Sequence, residues 1–288
     1  MRGRIKAYYS LTKPGVTYGN AITAVAGYLL AAGMNLHVVS IFAFSIGITL
    51  VIASACVTNN FFDQDIDRLM TRTKTRALVQ GRIPGRNAVI FSIVLGVLGA
   101  MLILEFTNTL TLWVSYFGWL IYVVFYGMLS KRLSIHGTLV GSLSGAAPIL
   151  AGWTAVTNEV GIGGALLFAI LFFWQMPEFY SIAVYRRNEY AKAKVPVMTV
   201  IKGVKHTKVQ ILIYTIAFVV STLLLTVYGV TGIVYFIVMA ALGAYWIWLG
   251  VKGQTTPNDD AWSRKMFRFS LIILMVFSFM ISIDAFLP

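Results

Sequence analysis

The sequence predicts an all-α protein that crosses a membrane many times, and three observations support this fold class. Of the 288 residues, 58% are hydrophobic and only 11% are charged. The apolar residues form runs of about 20, enough for a helix to cross a hydrocarbon core of roughly 30 Å. The basic residues lie between these runs. A soluble domain carries far more charge, so lipid is expected to surround most of this chain.

Nine apolar runs define the predicted transmembrane helices. Their approximate bounds are 15–34, 40–62, 88–106, 109–129, 138–157, 162–182, 209–228, 230–250 and 267–287. Long charged loops follow the second and the sixth helix, and this four-helix spacing predicts a duplicated unit. We therefore expect one intramembrane domain over residues 1–288, with one repeat at about 15–129, a second at about 138–250 and a final helix at about 267–287.

The net charge of +13 is explained by membrane topology, and nucleic-acid binding is not expected. If the helices cross the membrane alternately, all 23 Lys and Arg residues fall on the same side. Basic loops mark the cytoplasmic side, so the N-terminus is predicted in the cytoplasm and the C-terminus on the outer side. This arrangement fits a bacterial plasma (inner) membrane, with attraction to anionic lipid as a secondary effect.

A cleaved signal peptide is the competing interpretation of the first apolar run. That run extends from Val16 to about Met34, which exceeds the usual signal-peptide core of roughly 7–15 residues, and a second apolar run follows it directly. We therefore expect a transmembrane helix here. Cys56 is the only cysteine, so the chain can form neither an internal disulfide nor a cysteine metal cluster.

A group of polar side chains at the end of the second predicted helix indicates a metal site. Asn59, Asp63 and Asp67 are spaced by four residues, so they share one face of a helix, whereas Asp65 points away. Oxygen ligands of this kind suit Mg²⁺, which takes one or two protein carboxylates and completes its shell with water and phosphate oxygens. A solvated, salt-bridged helix end is the competing interpretation, and three spaced ligands make it the weaker one.

The basic residues after this motif are candidates for binding phosphate. Arg72, Lys74 and Arg76 follow the acidic face within one loop, and guanidinium and ammonium groups pair well with phosphate oxygens. They are also explained as ordinary cytoplasmic-loop charges. A Gly repeat at 137, 141 and 145 has no Walker lysine, so it indicates close helix packing rather than a phosphate loop.

A metal and a phosphate site inside a membrane permit prenyl transfer if the substrate is an allylic diphosphate. A metal that bridges a diphosphate makes it a better leaving group, and an allylic chain then leaves as a delocalised cation. The protein must hold the anion, exclude stray water and position a nucleophile. Aromatic residues suited to line the cation's path are Phe61, Phe62, Trp174, Phe179, Tyr180 and Tyr185. For any one of them taken alone, ordinary membrane packing is the better explanation.

These residues resemble the UbiA superfamily of intramembrane prenyltransferases, and within it the branch that makes heme O. The likeness runs nearly end to end. Its motifs are Thr12-Lys13-Pro14-Gly15, the pattern Asn59-x-x-x-Asp63-x-x-x-Asp67 with Arg72 and Arg76, Lys131-Arg132, Gly145-Ala146-Ala147-Pro148 and Trp174-Gln175-Met176-Pro177. The resemblance implies transfer of the farnesyl group of farnesyl diphosphate to a vinyl side chain of protoheme IX, with Mg²⁺ as cofactor and the site facing the cytoplasm.

The same resemblance implies a set of site residues. Asn59, Asp63 and Asp67 bind the metal, and the charged second loop completes the diphosphate site. The further residues that it implies are Glu189 as a catalytic residue with a metal-binding or water-bridged role, and Lys131, Arg132, Tyr185, Lys192 and Lys194 in substrate binding. Two positions depart from the family pattern: Glu178 stands where His is usual, and Glu189-Tyr190 replaces an Asp-Tyr pair. Glu189 keeps the carboxylate with a longer reach, whereas Glu178 cannot act as an imidazole.

Two alternative functions remain open from the sequence. The first is prenyl transfer to a quinone-type aromatic acceptor, because nothing in the composition indicates heme. The second is a non-enzymatic transporter or lipid flippase, for which the repeat and the intramembrane acids would form a substrate or ion site. Loss of activity on removal of Asp63 favours the enzyme, and uptake without product favours the transporter.

Overall fold

The computed structural model describes residues 2–288, which form thirteen α-helices and no β-strand. In chain order the helices are α1 (Arg2–Leu11), α2 (Pro14–Ala32), α3 (Val38–Phe62), α4 (Gln64–Leu69), α5 (Gly85–Phe106), α6 (Thr109–Leu120), α7 (Lys131–Leu133), α8 (Gly137–Thr157), α9 (Gly161–Tyr185), α10 (Arg187–Lys192), α11 (Met198–Val227), α12 (Ile233–Gly253) and α13 (Asp259–Ile283). A π-helical segment, Ile121–Ser130, joins α6 to α7, and a 3₁₀ turn, Asp284–Phe286, follows α13.

The predicted fold class is confirmed. Within residues 2–288, nine long helical segments occupy the nine predicted spans when Thr109–Leu133 is taken as one continuous helix. Eight of them are long and apolar enough to cross a membrane. The ninth, α2, carries Thr17, Asn20 and Thr23, and it contains no stretch as apolar as those of the other eight.

Two predicted helix starts were placed too late. α11 begins at Met198, about three turns before its predicted apolar run, and α13 begins at Asp259, about two turns before its own. Lysines in the first turns of α11 lower its local hydropathy but favour a helix, and Gly203, with φ of 80°, introduces a kink there. Asn258 caps α13 by accepting a hydrogen bond from the Ala261 backbone N–H at 3.0 Å.

Glycines let the long helices approach closely. A Cβ added at Gly152 of α8 would lie 1.9 Å from the Ala24 carbonyl oxygen of α2. In the same way, a Cβ at Gly99 of α5 would lie 2.7 Å from the Gly47 oxygen of α3. Small residues at such crossings allow tight packing in a membrane, where lipid competes for apolar contact. These two helix pairs are therefore fixed backbone against backbone.

The outer surface of the bundle is apolar. On α5, for example, Ile93, Val97, Met101 and Leu104 are between 48% and 61% exposed and recur every three to four residues. A soluble protein would bury such a stripe, whereas a helix facing acyl chains leaves it exposed. The chain is a multi-pass membrane protein.

The short helices lie at one end of the bundle. α4 and α10 have six residues each, and each follows a long helix of 25 residues, α3 and α9. The acidic residues predicted for the site stand at the ends of these two long helices. This end of the bundle therefore holds the candidate site.

Candidate functional site

A cavity of about 310 Å³ lies between α2, α3, α6, α8 and α9. One end is polar and the other is apolar. The ionisable and hydroxylated residues at the polar end are Lys13, Asp63, Asp67, Arg72, Arg76, Tyr122, Tyr126, Lys131 and Tyr190. The small and apolar residues deeper in the cavity include Ile48, Val51, Ile52, Ala55, Gly118, Trp119, Ala147 and Pro148. This shape suits an amphiphile with an anionic head and an apolar tail.

Asn59, Asp63 and Asp67 all line the polar end, and none is more than 3% exposed. The expectation that they share one regular helix is wrong in detail, because α3 ends at Phe62 and α4 begins at Gln64. The i to i+4 hydrogen bonds nevertheless continue: the Asp63 N–H donates to Asn59 O at 2.9 Å, and the Asp67 N–H to Asp63 O at 2.8 Å. The three side chains therefore stay on one face.

Each of the two buried carboxylates has a cationic partner. Lys131 donates to Asp63 Oδ2 at 2.6 Å, and Arg76 donates to Asp67 Oδ2 at 2.5 Å. Arg132 makes a bidentate contact with the exposed Asp65, at 2.6 and 2.8 Å, and lies 4.0 Å from Asp63 Oδ1. This contact lowers the pKa of Asp65 to about 2. The acidic motif is therefore contacted by three of the basic residues predicted from the sequence: Arg76, Lys131 and Arg132.

Lys13 is a site residue that the sequence analysis missed. Its ammonium group donates to Asn59 Oδ1 at 2.5 Å and to the Tyr122 hydroxyl at 3.2 Å. Burial lowers the pKa of Lys13 to about 8. Its backbone is left-handed, with φ of 49°, which costs energy for a residue with a side chain. The basic residues near the N-terminus were interpreted only as a sign of membrane topology, whereas the structure places one of them, Lys13, in the cavity lining.

The π-helical segment explains how α6 presents side chains to the site. It holds Tyr122 and Tyr126 with their rings stacked at 5.8 Å, and both line the cavity. A Cβ added at Gly127 would lie 2.9 Å from Asn59 Nδ2, so a larger residue would displace that amide. π-helical turns often occur at functional sites because they redirect side chains. No sequence pattern used above indicates this one.

The donor set fits a hard divalent cation. Among residues 2–288, no cluster of three His, Cys, Asp or Glu side chains occurs, and the site offers two carboxylates and one amide. Mg²⁺ takes one or two carboxylates and draws its other ligands from water and phosphate. Within the described chain, the buried Asp63 Oδ1 accepts no hydrogen bond, although Oδ2 does. A buried carboxylate oxygen without a donor is suited to accept a cation.

An apolar cluster joins the two charged loops above the polar end. Ile66 and Met70 of the first loop pack with Ala193 and Val195 of the second, and Tyr190 lies against them. Met70, Tyr190 and Val195 also line the cavity. Burial raises the pKa of Tyr190. The cluster therefore covers the cavity on the side where the chain's charged loops meet water.

Several predicted residues do not reach the cavity. Lys74, Lys192 and Lys194 are exposed. Glu189 pairs with Arg186 at 3.1 Å, and Tyr185 packs against Phe267 with ring centroids 6.3 Å apart. Arg72 is exposed and lines the cavity mouth. The structure thus brings the first loop to the polar end more fully than the second.

Of the six aromatic residues proposed to line the cavity, Phe179 does so. Trp174 instead donates its indole N–H to Ser270 O at 2.8 Å, and Phe61 packs over Gly85. Glu178 lies on α9 one residue before Phe179 and, like Trp174, is outside the cavity lining. The aromatic wall of the polar end is formed by Tyr122, Tyr126 and Tyr190 instead.

The Gly repeat on α8 packs against neighbouring residues, as predicted. A Cβ at Gly141 would lie 3.1 Å from the Tyr126 ring, and one at Gly145 would lie 2.1 Å from the Gln175 side chain. Gln175 in turn donates to Ser142 O at 3.0 Å. The repeat therefore shapes the cavity wall by letting larger side chains from α9 and the π-helical segment approach α8.

Sequence relatives cover nearly the whole chain. The chain is 43% identical over 284 residues to the protoheme IX farnesyltransferase of Yersinia enterocolitica serotype O:8, covering 99% of this chain and 96% of the relative. It is also 43% identical over 280 residues to the enzyme of the same name from Protochlamydia amoebophila, covering 97% and 99% of the two chains. These alignments span both charged loops.

Solved structures share the fold. A structure of digeranylgeranylglyceryl phosphate synthase has a TM-score of 0.81 and 20% identity, covering 98% of this chain and 99% of that one. A UbiA homologue from Archaeoglobus fulgidus bound to GPP and Mg²⁺ has a TM-score of 0.68 and 15% identity, covering 96% and 99%. The sequence also matches the UbiA prenyltransferase family over residues 20–272. With relatives at 43% identity along its length, this chain belongs to the UbiA prenyltransferase family.

Proposed function

We propose that this protein transfers the farnesyl group of farnesyl diphosphate to a vinyl group of protoheme IX, giving heme O, and that the reaction depends on Mg²⁺. One observation carries the proposal: a buried Asn59, Asp63 and Asp67 lie beside four cationic side chains at the polar end of a long apolar cavity. The relatives that align over nearly the whole chain are named protoheme IX farnesyltransferase, and this name supports a farnesyl donor and protoheme IX as the acceptor.

The cations at the polar end are suited to hold the diphosphate. Lys131 and Arg76 pair with the two carboxylates, while Lys13 and Arg72 make no ion pair among residues 2–288. With its donor bound, Mg²⁺ held by Asp63 and Asp67 would neutralise charge on the leaving group. Lys13 and Arg72 add fixed positive charge where the diphosphate gains negative charge, which stabilises the transition state.

The reaction then depends on how the cavity stabilises the allylic cation until the acceptor attacks it. The C–O bond to the diphosphate breaks with both electrons on oxygen, and the cation is attacked by the vinyl π electrons of the acceptor. The Tyr122 and Tyr126 rings at the polar end present electron-rich faces to such a cation. Addition of one water to the resulting cation, with loss of a proton, gives the hydroxyl group of heme O.

Bulk water must be kept from the first cation, since it would otherwise give farnesol. The cluster of Ile66, Met70, Ala193 and Val195 serves this purpose, because it covers the polar end with apolar side chains. In this proposal Lys192 and Lys194 add positive charge around the mouth, and Glu189 and Tyr185 act from outside the cavity lining. The direct contacts fall to the residues that line the polar end.

The proposal includes a topology and a place in the cell. The basic loops support a cytoplasmic position for the polar end of the cavity and the N-terminus, with the C-terminus on the outer side. The relatives at 43% identity are bacterial proteins, which supports a bacterial plasma (inner) membrane. A water-soluble diphosphate would then enter from the cytoplasm, and the apolar acceptor from the bilayer.

We also propose that the chain is a single domain of two four-helix units and a final helix. The equal lengths of α3 and α9, each followed by a six-residue helix, support the duplication. In this arrangement the first unit supplies the metal ligands, and the second supplies α10 and the loop that closes the site.

Mass analysis of the porphyrin product tests the proposal. Purified protein in detergent is incubated with protoheme IX, farnesyl diphosphate and Mg²⁺, alongside a sample containing a chelator. We expect farnesylated heme that disappears with the chelator and in Asp63→Asn. Asp65→Asn is the matched control, since Asp65 is exposed and two residues away.

The alternative outcomes are separable. Diphosphate release without farnesylated heme would retain prenyl chemistry but reject heme as the acceptor. Full activity of Asp63→Asn would reject the metal site. A folded protein that gives no product but takes up substrate in vesicles would replace the enzyme with a transporter.

A further inference from the structure

The apolar half of the cavity follows one face of α3. Ile48, Ile52, Ala55 and Asn59 recur every three to four residues along that face, and Asp63 continues the series. From Ile48 to Asp63 the helix rises about 22 Å, or about four turns. One turn next to the acids accommodates the diphosphate, which leaves about three turns for the prenyl chain.

The cavity ends at a packed cluster. Ile48 and Ala147 line the cavity and also belong to a buried cluster with Tyr28, Phe44 and Ala151. The rings of Tyr28 and Phe44 are stacked with centroids 5.6 Å apart, and Phe44 is fully buried. Ile48 is therefore the side chain between the end of the cavity and a closed aromatic pair.

This end of the cavity is rigid. α2 and α8 meet here at Gly27 and Gly152, where an added Cβ would lie 2.4 and 1.9 Å from carbonyl oxygens of the facing helix. α3 and α5 meet at Gly47 and Gly99, next to Ile48. Because backbones are in contact on both sides, the helices cannot separate to admit a longer chain without losing this packing.

We propose that Ile48, backed by Phe44, sets the maximum length of the prenyl donor at three isoprene units. The inference rests on the proposed function, which supplies the diphosphate at the acidic end. A fourth unit would have to occupy the space of the Ile48 side chain. Because Phe44 and Tyr28 behind it are 0% and 3% exposed and packed in one cluster, the longer donor would be rejected by steric overlap with buried side chains.

The test compares donors of different length in the full-length protein. Wild type and Ile48→Ala are assayed with protoheme IX, Mg²⁺ and either farnesyl or geranylgeranyl diphosphate. We expect the ratio of kcat/KM for geranylgeranyl over farnesyl diphosphate to rise about tenfold or more in Ile48→Ala, since hydrophobic pockets discriminate by about 10–200-fold per methylene. Ile46→Ala is the control, because Ile46 is 54% exposed on the same helix and should leave the ratio unchanged.

A second variant protects the test against a failure of Ile48→Ala to fold. Ala55 lines the cavity two turns nearer the acids, so Ala55→Leu should shorten the usable chain and raise the kcat/KM ratio of geranyl over farnesyl diphosphate. An unchanged donor preference in either active variant would overturn this inference alone. Absence of prenyl transfer by wild type with every donor would overturn the proposed function and this inference with it.

Discussion

Replacing Lys131 by methionine should destabilise the metal-free protein because it leaves Asp63 buried without its cation. The two charged atoms are 2.6 Å apart, and Asp63 is 2% exposed in its side chain. At an effective dielectric constant of about 20, their attraction is about 6 kcal/mol, part of which offsets the desolvation of both groups. Breaking a buried pair typically costs about 3–5 kcal/mol. Lys131 keeps 19% exposure, so we expect a loss of about 3 kcal/mol.

The measurement is the free energy of unfolding, obtained by titration with a denaturing detergent in the presence of a chelator and again with Mg²⁺. If Asp63 is a metal ligand, Mg²⁺ should restore at least half of the loss, because the ion replaces the missing positive charge. Asp65→Asn is the control, since its exposed pair with Arg132 should be worth less than about 1 kcal/mol. A Lys131→Met protein as stable as wild type in chelator would refute the reasoning.

Three further predictions concern packing around the site. Gly127→Ala should lower kcat/KM about 10–100-fold, because its Cβ would lie 2.9 Å from the Asn59 amide, whereas Gly19→Ala, in open space, should not. Val195→Asp should raise the ratio of farnesol to farnesylated heme several-fold, because it opens the apolar cluster above the cavity to water. Ala191→Asp is the control, since Ala191 is exposed and the ratio should not change. An unchanged ratio in Val195→Asp would show that the cluster does not exclude water. Glu178→Gln should keep kcat/KM for farnesyl diphosphate within about twofold of wild type, because Glu178 is outside the cavity lining; a larger loss would show a role for this carboxylate.

The transmembrane helices could be predicted because hydropathy reports directly on the solvent around each segment. Hydropathy is a weaker guide where helix propensity or the needs of the cavity, rather than the surrounding lipid, determine the residues. α11 starts before its apolar run because lysines are good helix formers even though they are polar. α2 lacks a stretch as apolar as those of the other long helices, and one of its polar residues, Asn20, belongs to the cavity wall.

The acidic face could be predicted because it depends on local spacing alone. The same arithmetic explains why Phe61 and Phe62 are not in the wall: at about 100° per residue, they project from other faces than Asn59 and Asp63. Lys13 could not be predicted in this way, because its contact with Asn59 joins residues 46 positions apart. The contact between the two loops also depends on tertiary packing, and only the charges of the loops are visible in the sequence.

The π-helical segment fixes how this chain can tolerate insertions and deletions. Ile121–Ser130 stands between the part of α6 that packs in the bundle and Lys131, which pairs with Asp63. A π-helical turn closes from residue i to i+5 and holds about one residue more than an α-helical turn, so removing one residue there would let an ordinary α-helix form with the flanking residues kept in register. Lys131 would then still face Asp63, whereas Tyr122 and Tyr126, which lie inside the segment, would lose their present places in the cavity wall. The one extra residue of this segment therefore sets the aromatic wall, and a gap of one residue would change that wall without changing the acidic motif.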